Sequence, residues 1–466
     1  MTTAAALNET HDTHLLIKKE SIKDKQISFL KGQIILNPSI TKLNFFCFML
    51  FNIYLGLILT PVDLLQASVL GIVYKLDTDH QSYVTTIVQF SQLVLQLLTA
   101  PLVGYICDKY GRRIPICSGL VFLCCTIFFT TNFPNPYPYY IINQCLQSIS
   151  YTALGIPPLL ADYVDSSTHG RMSGLISVLV SSGSFLITLL NSMQQDTVSN
   201  LHKKFFFIGA LALGLAFLII PGIKGGTYYK NIPQSSESQE SASFNEETTE
   251  QNAAQTEVQL PEPEPGLMAG LKEVKNPWIF AGYIVNFLLT SSGGLTGFIL
   301  VTYVIHLTQD VSKANLAYVL VDIVLLSSII NSIFFGYVAD KFNKFRLIIF
   351  IIVCSIISAS LLTFIKSPTE PLAYISMVLF GVATSGYMVF SGQLLNKYPS
   401  PKFRGSVLAV GGMISLGGTA TVNILGVYLL HWNVLYPFFI CLGSSVVALL
   451  ILVILYICKK DIMNKT

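Results

Sequence analysis

Gly104-Tyr105-Ile106-Cys107-Asp108-Lys109-Tyr110-Gly111-Arg112-Arg113 closes one hydrophobic run, and Gly336-Tyr337-Val338-Ala339-Asp340-Lys341-Phe342-Asn343-Lys344-Phe345-Arg346 closes another. The two stretches begin 232 residues apart and share Gly-Tyr-x-x-Asp-Lys-aromatic, followed by basic residues. A charged tight turn that recurs once per half, each time at the end of an apolar segment, implies a duplicated membrane bundle. Duplication has a mechanical consequence, because two like halves can rock about a site held between them.

The composition supports a membrane class. The 466 residues are 52% hydrophobic and 11% charged, against about 25% charged in soluble domains. A membrane-spanning helix needs about 20 apolar residues. Such runs are expected at about 43–66, 82–106, 114–132, 138–160, 172–192, 204–222, 277–303, 314–338, 346–365, 371–393, 405–430 and 434–457. The expected fold class is therefore all-α transmembrane, with 12 helices arranged as two pseudo-symmetric six-helix bundles. The expected divisions are an N-terminal tail (1–41), a first bundle (42–222), a linker (223–276), a second bundle (277–458) and a C-terminal tail (459–466).

Basic residues orient the chain, since Lys and Arg concentrate in cytoplasmic loops. With the N-terminus inside, the inner segments hold 23 Lys and Arg and the outer loops only 5. Both termini and the linker are expected in the cytoplasm. Asn231 to Pro265 carries eight Glu and no Lys or Arg, so it cannot bury enough apolar surface to fold and reads as a disordered tether. Asp12-Thr13-His14-Leu15-Leu16-Ile17 fits an acidic dileucine pattern, so both the plasma membrane and an endolysosomal or vacuolar membrane are candidate addresses. The nine cysteines fall within apolar runs or at their ends, which argues against a secreted disulfide framework.

The paired turns resemble the loop after the second helix in the major facilitator superfamily, written G-x-x-x-D-R/K-x-G-R-R/K. The first copy matches at Gly104, Asp108, Lys109, Gly111, Arg112 and Arg113. The second keeps Gly336, Asp340 and Lys341 and places Asn343 where the second Gly would be. The resemblance covers about residues 42–458. It implies a secondary active or facilitative transporter that moves a small organic solute by alternating access, with or without a coupled proton. A transporter-like sensor that binds its solute without passing it is the alternative. No enzyme activity, cofactor, metal or nucleic-acid partner is expected, and the chain is expected to act as a monomer in the lipid bilayer.

The resemblance also assigns roles. Asp108 would cap a helix from the other half, and Arg112 would pair with Asp162 at the end of helix four. By pseudo-symmetry Asp340 would cap the start of helix five near Arg171, and Arg404 opens helix eleven in the corresponding place. The substrate path would be lined by helices one, four, seven and ten, whose polar residues include Asn52, Tyr54, Gln144, Gln147, Tyr151, Asn286, Thr290, Tyr374 and Tyr387. None of these spans contains Lys or Arg, which disfavours a multiply charged anion. Two acids lie within spans, Asp63 and Asp322. A buried charge is costly and marks function by default, so both are candidates for a proton or substrate site in the outer part of the membrane. Gln144 stands where many proton-coupled relatives carry Arg, and Ile187-Thr188 where drug antiporters carry Gly-Pro. Both departures weigh against proton-driven drug antiport.

Overall fold

The computed structural model describes residues 27–30, 32–157, 159–193, 197–224, 271–308, 315–400, 403–430 and 432–464, with the side chains of 59–61, 63, 78, 79, 297, 298, 315, 461, 462 and 464 left out. The acidic linker stretch and the dileucine pattern therefore lie outside the described residues.

The described chain is helical apart from one short hairpin. Its main helices are α1 (Lys42–Ser68), α2 (Thr78–Tyr110), α3 (Arg113–Phe129), α4 (Ile141–Gly155), α5 (His169–Ser192), α6 (Val198–Ile219), α7 (Pro277–Gly294), α8 (Asn315–Lys341), α9 (Lys344–Leu362), α10 (Pro371–Lys397), α11 (Arg404–Thr419) and α12 (Tyr436–Asn464), with shorter helices at Leu300–Thr308 and Leu425–Leu429. A short helix, Leu159–Tyr163, follows α4. Wider turns continue α7 through Leu295–Ile299 and α11 through Ala420–Ile424. Eight of the helical segments are long and apolar enough to cross a membrane by length and composition.

Helix starts follow from capping chemistry, because the first N–H groups of a helix lack partners inside it. Thr41 caps α1 in a reciprocal box with Asn44. Asp77, Thr197, Asn276 and Asn343 cap α2, α6, α7 and α9 with their own side chains. Phe403 before α11 has no capping side chain, and Thr168 before α5 makes no capping bond. Those two starts receive their acceptors from elsewhere in the fold.

The hydrophobic core divides largely by sequence halves. One cluster gathers residues of α1, α3, α4 and α6, including Phe48, Tyr54, Leu120, Leu123 and Phe205. A second gathers residues of α7–α10 and α12, including Trp278, Phe335, Ile351 and Phe390. Leu64 of α1 crosses between halves: it is 2% exposed and packs with Leu295, Ile299 and Val321. All nine cysteines are free thiols.

The segment before α1 is structured from residue 27. Strands β1 (Ser28–Phe29) and β2 (Ile34–Ile35) pair antiparallel, Ser28 opposite Ile35 and Phe29 opposite Ile34. Leu36 continues as a bridge to Val164, beyond the α4 end. Asn37 Nδ2 donates to the carbonyls of Ala161 (3.1 Å) and Asp162 (3.0 Å). Arg171 Nη1 donates to the Gln33 carbonyl at 3.1 Å. The hairpin thus fastens the α4–α5 connection from below.

Candidate functional site: two capped seams around a central passage

Both motif acids bind the start of a helix from the other half of the chain. Asp108, near the end of α2, accepts from Gly405 N (3.0 Å), Ser406 N (2.9 Å) and Ser406 Oγ (2.8 Å) at the start of α11. Asp340, at the end of α8, accepts from Gly170 N (3.0 Å) and Arg171 N (3.1 Å) at the start of α5, and from Gln393 Nε2 (3.1 Å) of α10. Neither helix start has a capping bond from its own N-cap side chain. A carboxylate there satisfies free N–H groups and meets the positive end of the helix dipole.

The remaining motif residues support this contact. Gly111 ends α2 with φ of 97°, a conformation that side chains disfavour and glycine adopts freely. Asn343 does not copy that turn. It has φ of −64° and caps α9 by accepting from Phe345 N and Arg346 N. Arg112 is 4% exposed and pairs through Nε with Asp162 Oδ2 at 2.9 Å, while its Nη1 donates to the Cys107 carbonyl. Burial pushes the Asp162 carboxyl up from its ordinary range, and Arg112 and Arg404 oppose that by favouring its charged form. Arg171 Nε lies 3.8 Å from Asp340 Oδ2. Lys109 donates to Tyr105 Oη and Lys341 to Tyr337 Oη, each one turn back on its own helix. Arg113 is exposed at the start of α3.

Away from these caps the two seams differ. Along α5 and α8, a Cβ on Gly174 would come within 2.7 Å of Gly336 Cα and of the Ser332 carbonyl oxygen. Beyond that close approach, Ser177 Oγ meets Ser332 Oγ at 2.6 Å and Ser181 Oγ meets Ser328 Oγ at 3.1 Å. Along α2 and α11, a Cβ on Gly104 would lie 2.7 Å from the Ala409 methyl. The neighbouring contacts there are apolar, made by Ala100, Val103, Cys107, Ile156 and Ala409.

Between the seams lie two chambers. The one nearer the motif acids has a volume of about 400 Å³ and is bordered by Asn52, Asn286, Ser391 and Asn396 among its polar residues. The one farther from them has a volume of about 470 Å³ and is bordered by Gln66, Gln89, Gln92, Gln144, Thr290 and Asn423 among its polar residues. Gln96, Tyr151, Leu289, Met388 and Leu416 border both and form the waist between them. Among the described residues, no Asp, Glu, Lys, Arg or His lines either chamber.

The expected path residues divide three ways. Asn52, Gln144, Tyr151, Asn286 and Thr290 do line the passage. Most of them hold helices: Asn52 Nδ2 donates to the Phe48 carbonyl at 2.7 Å. Asn286 donates to the Gly411 carbonyl and accepts from Ser391 Oγ, both at 3.0 Å. Thr290 donates to the Ser415 carbonyl at 2.7 Å. Gln144 Oε1 and its carbonyl accept from Gln92 Nε2. Gln147, fully buried, lies behind Tyr151 and donates to its hydroxyl at 2.6 Å.

Four expected residues do not border the passage. Tyr54 is fully buried within the first half, its hydroxyl 3.7 Å from Cys124 Sγ. Tyr387 is 1% exposed and packs in the second-half core with Ile351, Ile352 and Phe390. Tyr374 lies at the start of α10 on an exposed surface. Asp322 is half-buried, while the chamber face of α8 carries Val321, Val324 and Leu325. Its i−3 and i+4 neighbours, Val319 and Leu326, are exposed large apolar residues, while its own Oδ1 is buried without a hydrogen bond. Membership in a path helix does not settle which face a residue occupies, because successive residues step by about 100° around the axis. Asp63 lies on α1, outside the residues whose side chains are described.

The sequence reading missed the glutamines. Gln89, Gln92 and Gln96 repeat at i, i+3 and i+7 on α2, the spacing that puts residues on one helix face. That stripe was visible in the sequence.

The Major Facilitator Superfamily model matches residues 40–415. Multidrug resistance protein 1 of Bacillus subtilis (strain 168) is 23% identical over 353 residues, covering 74% of this chain and 80% of that protein. The human organic anion transporter MFSD10 superposes with a TM-score of 0.62 at 14% identity, covering 88% of this chain and 98% of that one. The proton:xylose symporter XylE gives 0.61 at 13% identity, covering 88% and 94%. The nucleoside transporter NupG gives 0.59 at 16% identity, covering 89% and 98%. At these identities the superpositions establish a common fold, and the family match extends over most of the chain. The protein belongs to the major facilitator superfamily and is an integral multi-pass membrane protein built for solute transport.

Proposed function

We propose that the protein is a carrier for a small organic solute, working as a uniporter or symporter by alternating access. The motif end faces the cytoplasm in this reading. The observation that supports it is the reciprocal capping: Asp108 holds α11, and Asp340 holds α5. Each contact joins the two halves at the same end of the molecule. Rocking the halves apart would expose the starts of α5 and α11 and open the nearer chamber. Closing them restores the charge-assisted bonds, which are roughly twice as strong as neutral ones.

Arg112 and Asp162 have a different part. They lie in the same half and hold the α2 turn against the end of α4, so that Asp108 is presented to α11. At the opposite end, Leu64 packs among Leu295, Ile299 and Val321, and Ser68 Oγ lies 3.5 Å from Tyr318 Oη. That closure is mainly apolar.

Counterflow in proteoliposomes tests the carrier reading. A carrier accelerates labelled solute uptake when unlabelled solute is loaded on the other side. A sensor binds solute and shows no such acceleration. Asp108→Asn is expected to lower exchange about tenfold at equal protein level, since a neutral amide weakens a charge-assisted cap. Unchanged exchange would remove the cap from the transport cycle. Coupling is read from pH: uptake driven by a proton gradient and lost in Asp63→Asn would mark a symporter, and pH-independent uptake a uniporter.

A further inference from the structure

Within the carrier reading on which this inference rests, we propose that the chamber farther from the motif acids is the binding site for an uncharged, polyhydroxylated solute, held by Gln66, Gln89 and Asn423. Among the described residues the lining offers no charge to balance a cation or an anion. It offers amides, which carry both a donor and an acceptor on one group.

Much of the polar lining is already engaged, as Gln92 with Gln144 and Thr290 with Ser415 illustrate. Gln66 Nε2, Gln89 Oε1 and Asn423 Oδ1 are buried and make no hydrogen bond. All three border this chamber. They leave one amide donor and two amide acceptors unpaired at its border, on three different helical segments. Buried polar groups are normally paired, and an unpaired one is costly. A solute with several hydroxyls satisfies such a set, because each hydroxyl both donates and accepts. A hydrophobic solute would leave all three unpaired.

Local geometry aims one of the three. Asn423 lies on the wider turn that interrupts α11, a feature often found at functional sites. A Cβ on Gly294 would sit 1.7 Å from Asn423 Oδ1. The glycine therefore makes room for the amide, and Gly294→Ala would displace it. The chamber, about 470 Å³, falls in the range of small-ligand pockets and accommodates a monosaccharide or a nucleoside.

The test is counterflow with the full chain in proteoliposomes, using labelled glucose, uridine, tetraphenylphosphonium and citrate. Exchange of glucose or uridine is expected, and which one exchanges separates sugar from nucleoside. Gln66→Leu and Gln89→Leu are each expected to weaken its apparent affinity about tenfold, as loss of one buried hydrogen bond does. If a leucine variant fails to elute as a single species, Gln89→Asn shortens the amide and reads the same contact. Exchange of the cation or the anion with neither neutral probe active overturns this proposal and leaves the carrier reading intact. Neutral exchange with unaltered affinity in the variants also overturns it. No exchange of any probe counts against both.

Discussion

The α5–α8 seam and the α2–α11 seam begin alike and continue differently. Each starts with an aspartate bonded to two backbone N–H groups of the facing helix. The α5–α8 seam then runs through a glycine contact and two serine pairs. The α2–α11 seam continues through Ala100, Val103 and Ala409, apolar side chains with no directional bond. In a membrane, small residues let helices approach closely, and their hydroxyls add interhelical bonds. An apolar contact has no fixed register and slides at lower cost. The duplicated motif thus supplies the same latch twice, while the packing beyond it makes one seam a fixed zipper and the other a looser joint.

The largest effect is expected beside the looser seam, at the Arg112–Asp162 pair. Asp162→Asn would leave Arg112 buried without its charged partner, at a cost of about 3–5 kcal/mol. A large fall in the melting temperature of the purified protein is the expected readout. A fall no larger than that for an exposed substitution would show that Arg112 finds another partner.

Gly174→Ala comes next. Its new methyl would meet backbone atoms of Gly336 and Ser332 rather than flexible side-chain ends, so about 1–3 kcal/mol of overpacking strain is expected. Gly104→Ala would meet the Ala409 methyl at 2.7 Å and a backbone atom, the Gly405 carbonyl oxygen, only at 3.1 Å, so it should cost less, which denaturation of the two variants side by side would check. Equal losses would erase the distinction between zipper and joint.

The smallest effect sharpens the comparison. A double-mutant cycle of Ser177→Ala with Ser332→Ala should give a coupling near 0.6 kcal/mol, the average for interhelical bonds in a membrane. A cycle of Val103→Ala with Ala409→Gly should show no comparable directional coupling. Zero coupling in the serine cycle would assign the α5–α8 seam to close packing alone.

The hairpin adds a further contrast, because it lies under the α4–α5 connection and α5 rather than under α11. Asn37→Ala removes two bonds to the carbonyls of Ala161 and Asp162. About 1 kcal/mol of stability is at stake, with increased hydrogen exchange at residues 159–165 as its local sign.

Much of the architecture was legible in the chain. Apolar runs, turn chemistry and the repeated Gly-Tyr-x-x-Asp-Lys announced a duplicated helical membrane protein. The pairing of Asp108 with α11 and of Asp340 with α5 had no such local signature: the expectation came from the family resemblance, and Thr168, a residue type favoured at helix starts, makes no capping bond here. The residues bordering the passage were less legible. Asn52 and Asn286 were named from their helices, and both turned out to be bonded to backbone carbonyls. Tyr54 and Tyr387 shared such helices and pack in the cores of their own halves.

The sequence by itself determined the class, the helical segments, the duplication and the charged turns, because each follows from local hydrophobicity, spacing and capping. Only the tertiary structure decided which polar side chains spend their hydrogen bonds on neighbouring helices and which keep them for the passage. That division depends on the rotation of each helix about its own axis. Packing against distant segments fixes the rotation: Gly174 against Gly336, and Gly294 beneath Asn423. No window of sequence contains both partners.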